Sequence, residues 1–177
     1  GDTRMTSKLK TDVLETVSGS GTIALTNQLS GMTSASVPTG SVIQVVSATN
    51  TNTANGGFLL QTTSTSFVSV PLAVSITPSS TSSKVMVIFN TATYRAAAGY
   101  VTVYRNSTNI GGALLGLVNP TGSSNSRFEP ISVQYLDSPN STSSVQYTLY
   151  VRTQSGTMYV GGDSDLVNSI TLMEIKG

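Results

Sequence analysis

The chain contains no cysteine and no histidine. That removes the usual ligands of zinc, copper and non-haem iron. It also removes the thiol nucleophile and the commonest general base. A disulfide framework is excluded, so stability has to come from burial and association. Charge is nearly as scarce: charged residues make up 10% of the chain, against about a quarter in an ordinary soluble domain. A formal net charge of +1 offers no electrostatic footprint for nucleic acid or anionic lipid. No apolar run approaches the roughly 20 residues that span a bilayer, so membrane insertion is not expected. Phosphate-cradling and nucleophile-elbow patterns (GxGxxG, GxxxxGK with Ser or Thr, GxSxG) do not occur.

The few charges are unevenly placed. Three basic and three acidic residues fall within Asp2–Glu15, and none occurs from Thr16 through Ser83. Two explanations are compatible with this. The surface can be coated with Ser and Thr, which make up nearly a third of the residues. Alternatively, much of the stretch is buried between subunits, where charge is costly to desolvate.

At 177 residues the chain is long enough for one domain with an adequate core. Its dominant pattern is short apolar runs of period two, separated by Ser/Thr/Asn/Gly/Pro clusters. Strands are expected at Thr22–Thr26, Val42–Ala48, Phe58–Thr62, Ser66–Val70, Ala73–Thr77, Lys84–Tyr94 and Tyr100–Asn106. Further strands are expected at Ala113–Val118, Arg127–Leu136, Ser144–Arg152, Thr157–Val160 and Ser169–Ile175. Breakers such as Asn55-Gly56-Gly57, Asn119-Pro120-Thr121-Gly122 and Ser138-Pro139-Asn140 part them. The fold class that follows is all-β, an antiparallel β-sandwich or jelly roll. Residues 1–40 are cut by Gly19-Ser20-Gly21, Ser30-Gly31 and Pro38-Thr39-Gly40. They read as an extended N-terminal stem or connector leading into a head domain over 41–177.

Alternation also indicates which faces are buried. Val145, Tyr147, Leu149 and Val151 share one face of a half-exposed strand. Lys84–Phe89 and Ile170–Ile175 are apolar on both faces apart from Lys84 and Glu174. Such strands belong at a sheet centre, or beneath another subunit.

Few residues could carry chemistry. Ser7-Lys8-Leu9-Lys10 fits SxxK but has no partner element, and is a chance match. Asp163-Ser164-Asp165 has Glu174 at the twelfth position of a calcium-loop count. The comparison fails at Val167 and Asn168, so no metal and no cofactor are assigned. Glu129, Asp137, Asp163, Asp165 and Glu174 are the carboxylates available for glycoside cleavage, and nothing in the sequence pairs them. No catalytic residue is assigned, and the chain is expected not to be an enzyme. Asn106-Ser107-Thr108 and Asn140-Ser141-Thr142 match the glycosylation pattern, as chance allows in so Ser/Thr-rich a chain.

The segment Thr93–Asn109 is the most suggestive for binding. It reads as two strands joined by the turn Ala96–Gly99. With Val101 and Val103 inward, Tyr100 and Tyr104 point outward, close to Tyr94, Arg95 and Arg105. Aromatic rings with hydrogen-bonding tips suit sugars. The same tyrosines could equally pack on a neighbouring subunit or stabilise the sheet.

Three stretches resemble the C-terminal regions of bacteriophage tail fibres, particularly those of marine and cyanobacterial phages. They are Val17–Val46 (VSGSGTIALTNQLSGMTSASVPTGSVIQVV), Ala73–Val87 (AVSITPSSTSSKVMV) and the terminal Ile170–Gly177 (ITLMEIKG). The resemblance implies a homotrimeric β-structured tip on the virion, made in the host cytoplasm, that recognises host surface polysaccharide. It also implies that the N-terminal part joins other virion proteins. A capsid decoration or head-fibre protein with a purely structural role is the alternative.

Overall fold

A computed structural model describes residues 37–51, 56–95, 98–119, 128–162 and 166–177. The chain divides into two units, Gly1–Thr33 and Ser34–Gly177, and every described residue belongs to the second. The expected strand Thr22–Thr26 lies outside the described residues, as does Asp163-Ser164-Asp165.

Ten strands form two antiparallel sheets packed face to face, a β-sandwich. Sheet A contains β1 (Val42–Asn50), β2 (Leu60–Thr62), β4 (Lys84–Arg95), β7 (Glu129–Asp137), β9 (Met158–Val160) and β10 (Asn168–Ile175). Sheet B has the order β3 (Val68–Ile76), β8 (Val145–Thr153), β5 (Gly99–Arg105), β6 (Thr108–Asn109). The centre of sheet A is β4, which pairs with β7 along Val85–Thr93 and with β10 along Lys84–Asn90. Beyond β10, β4 pairs with β9 through Thr93–Arg95. β9 and β10 therefore follow one edge of β4 in succession, and β1 and β2 follow them in the same way on the far side. Both successions break at the same level: Asn50 pairs Asn168 below the break, and Leu60 pairs Val160 above it.

The core lies between the sheets. Val85, Val87 and Phe89 of β4, Ile170 and Leu172 of β10, and Tyr147, Leu149 and Val151 of β8 are wholly buried. Each such apolar side chain contributes about 1.5–3 kcal/mol by leaving water. The period-two pattern thus decides the inner face of every long strand.

Polar clasps interrupt the apolar interior, two of them built on carboxylates. Asp137 on sheet A accepts from Arg105 Nη1 at 2.9 Å through both oxygens, and from the Tyr147 hydroxyl at 2.7 Å. Arg105 and Tyr147 belong to sheet B, so the cluster ties the sheets together. Burial, with the carboxylate beside it, pushes the Tyr147 hydroxyl well up, so it remains a donor. Glu174 of β10 is fully buried and accepts from Gln44 Nε2 at 2.6 Å and from Ser79 N and Oγ at 2.7 Å. Burial pushes its carboxyl up, but these hydrogen bonds outweigh burial and hold it below its ordinary value.

Several expectations are corrected. Ala113–Val118 is not a strand: it forms turns, with isolated bridges Val101 to Val118 and Gly112 to Gly116. Its glycines allow a tight loop, and Gly116 sits at φ +67. The expected pair Ser66–Val70 and Ala73–Thr77 is one strand, β3, with a register irregularity between Ser69 and Ala73. Pro71, which has no N–H, is tolerated there because β3 lies at a sheet edge. β4 and β5 are not paired with each other: the chain crosses from sheet A to sheet B between them. β8 is less exposed than its alternation implies, because Thr148 on its outer face is 8% exposed.

Candidate ligand-binding surface

Where β4 meets β9, Tyr94 pairs directly with Tyr159. Their neighbours Thr93, Met158 and Val160 are wholly buried, so alternation turns both tyrosines to the outer face of sheet A. Phe58 precedes β2, and its neighbour Leu59 is buried and donates to the Val160 carbonyl at 2.9 Å. Phe128 precedes Glu129, which pairs with Thr93. Both phenylalanines are thereby placed beside the tyrosines.

The four rings form a closed circuit. Centroid separations are 5.7 Å for Phe58–Phe128, 5.7 Å for Phe128–Tyr94, 5.4 Å for Tyr94–Tyr159 and 4.8 Å for Tyr159–Phe58. These are the spacings of offset and tilted aromatic pairs, each worth about 0.5–1.5 kcal/mol beyond area burial. They line a shallow open cavity of about 320 Å³. Phe128 is 41% exposed, a large apolar side chain left facing water. Gln61 Nε2 lies 3.5 Å from the Tyr159 hydroxyl at the rim. The dish therefore combines apolar ring faces with polar tips, and among the described residues its lining carries no charge.

The expected binding residues do not converge here. Tyr94 joins the dish. Arg95 ends β4, its backbone paired with Met158, and its side chain lies outside the described residues. Tyr100 lies on the other sheet, 8% exposed, with the Arg152 guanidinium 4.0 Å from its ring centroid. The outward exposure expected of Tyr100 is thus not found: a cation and a loop cover it. Tyr104 is half-buried and stacks on Tyr150 at 3.8 Å. Arg105 is engaged with Asp137. Sequence reasoning missed Phe58, Phe128 and Tyr159. The alternation Met158-Tyr159-Val160 does signal an outward Tyr159, but nothing local says that Phe58 and Phe128 arrive beside it.

A second cavity, of about 370 Å³, lies between Ile43, Ser79, Ser80, Ser82, Ser83, Lys176 and Gly177. Its serines largely hold the turn and the buried acid: Ser80 Oγ contacts Ser82 Oγ at 2.9 Å, and Ser79 serves Glu174. Of the carboxylates, Asp137 and Glu174 flank Val85 on neighbouring strands of the inner face. Both are buried and engaged in hydrogen bonds, so neither is presented to a ligand. Glu129 is exposed on β7, while Asp163 and Asp165 lie outside the described residues. Among the described residues no group of three or more carboxylates could hold a metal ion.

Neither protein-family models nor characterised proteins give a significant match to this chain.

Proposed function

We propose that this chain is the head of a bacteriophage tail fibre, a non-catalytic virion component that attaches to host surface polysaccharide. The observation that carries the reading is the dish of Phe58, Tyr94, Phe128 and Tyr159 on the outside of sheet A. Sugar rings present C–H faces edged by hydroxyls, and aromatic faces with phenolic tips complement both. A dish this shallow binds weakly by itself. Three copies around an axis multiply weak contacts through effective concentration, which suits adhesion to a repeating polymer. The tail-fibre-like stretches Val17–Val46, Ala73–Val87 and Ile170–Gly177 supply the biological setting.

The test is retention of the full chain on surface polysaccharide from candidate host cells, compared with its Phe128→Ala/Tyr159→Ala double variant. Wild type should be retained, and the variant should lose about tenfold in apparent affinity, since two aromatic contacts of about 0.5–1.5 kcal/mol each are removed. Equal retention of both would remove the dish from the binding site. A folded multimer that binds no polysaccharide would favour the decoration role, and cleavage of the polymer would refute the non-catalytic reading.

A further inference from the structure

The dish has a shape that a sugar ring alone does not explain. A pyranose face needs a flat platform, and Phe58 with Phe128, 25° between planes, comes nearest to one. The other three pairs cross at 53°, 44° and 50°. Four rings therefore tilt around one open cavity and form its whole described lining. Phe58, Tyr94 and Tyr159 are half-buried and Phe128 is exposed, so every ring keeps part of its surface for a ligand.

The sides of the circuit, 4.8–5.7 Å, are nearly equal. In a square circuit of such sides, a cation up to about 4 Å above the centre lies within roughly 6 Å of all four centroids. Over that range the ring quadrupole attracts positive charge, and here four rings act together. The cation has to be one that does without strong acceptors. No described lining residue is a carboxylate, and the amide at the rim, Gln61 Nε2, is itself a donor. A bare ammonium would exchange water for ring faces with no carboxylate to receive its N–H groups, which is costly. A quaternary ammonium has no N–H, and its methyl groups meet the rings as apolar surface.

We infer that the dish takes a quaternary ammonium group, carried as a substituent of the host glycan. This rests on the dish being the attachment site and specifies which group enters it. The circuit holds the methylated cation, and the flatter Phe58–Phe128 pair offers a platform to the adjoining sugar.

The test is a ligand-detected magnetic resonance titration of the full chain with choline, its neutral isostere 3,3-dimethyl-1-butanol, and ethanolamine. Choline should bind at least about fivefold tighter than either, the step expected of cation–ring attraction at an open site. An isostere that binds as tightly as choline, or no choline binding, overturns the inference. This comparison needs no variant. Phe128→Ala should weaken choline severalfold and Phe128→Tyr should not, because the ring face is what binds. Phe128 is 41% exposed, so both should keep the fold by circular dichroism. Choline binding unchanged in a folded Phe128→Ala chain overturns the placement in the dish. Retention on a phosphocholine-bearing polysaccharide should exceed retention on the same polymer without the substituent. Capture by phosphatidylcholine vesicles without that difference would overturn the glycan as carrier. Retention on a polysaccharide free of ammonium groups, by a chain blind to choline, overturns this inference and leaves the attachment reading standing. Choline binding without retention on any polysaccharide would instead overturn the attachment reading, and with it the glycan as carrier.

Discussion

On the outer face of sheet B, Thr102 is fully buried and Tyr100 nearly so, whereas on the outer face of sheet A, Val45 and Leu136 are about half exposed. The difference lies in what the chain places over each. Sheet B is covered by its own loop. Leu117 and Val118 donate to the Val101 carbonyl at 2.8 and 3.1 Å, and Thr102 Oγ1 donates to Asn109 Oδ1 at 2.6 Å. Arg152 lies over Tyr100 and donates to the Leu114 carbonyl. Over sheet A the described residues provide no such cover, although its outward residues are the more apolar. Half-burial on a strand's second face thus has two origins. One face is finished within the chain by polar contacts, and on the other the described residues leave apolar side chains exposed.

The largest effect should come from removing what both faces share. Asp137→Ala leaves Tyr147 without its acceptor between the sheets and Arg105 with the longer contact to the Ser138 carbonyl at 3.3 Å. It should cost about 3–5 kcal/mol in urea unfolding, the usual penalty for breaking a buried pair. A loss under about 1 kcal/mol would show that the clasp is not what joins the faces.

Next in size is a change that should act on sheet B alone. Gly116 adopts φ +67, and a Cβ there would lie 2.3 Å from the Val101 carbonyl oxygen. Because backbone has to move, Gly116→Ala should cost about 2 kcal/mol or more. Hydrogen exchange at Val101, Leu117 and Val118 should accelerate while β10 stays protected. Equal acceleration in β10 would break the distinction between the two faces. Arg152→Ala should be milder, about 1–2 kcal/mol, from the lost ring contact and hydrogen bonds. Proteolysis near Leu114, 75% exposed at the loop tip, should then rise.

The smallest effect is conditional on pH. Glu174 has a folded-state pKa below its ordinary 4.5, so the unfolded chain binds its proton more readily than the native chain does. Its stabilising contribution is complete above about pH 4.5 and declines as pH falls towards the folded value. Denaturation midpoints of wild type should therefore drop between pH 5 and pH 3 more than those of Glu174→Gln. Parallel curves would show that the carboxylate is not held ionised by Gln44 and Ser79.

Much of this was legible in the chain. The alternation in Val145–Arg152 and the double-sided apolarity of Lys84–Phe89 are local properties. The first places Tyr147, Leu149 and Val151 in the core, and the second makes β4 the centre of sheet A. Ala113–Val118 misled because Leu114, Leu115 and Leu117 look like a strand, while three glycines between 111 and 116 close the loop before it can extend. The candidate site was read only in part, through Tyr94. Its other three rings come from separate parts of the chain, and neighbourhood in sequence cannot show that they meet.

What the amino-acid sequence determined by itself is the all-β class, the inner face of each long strand and the exclusion of thiol and histidine chemistry. These follow from composition and from a side-chain period of two, which any single strand carries on its own. Only the tertiary structure decided which strand edges meet. It sent β4 and β5 to opposite sheets, separating Tyr94 from Tyr100 and Tyr104, and it brought Phe58 and Phe128 to Tyr94 and Tyr159. The physical reason is that alternation specifies a face but not a neighbour. Neighbours are chosen by hydrogen-bond pairing over long separations, and that choice depends on the packing of the whole chain.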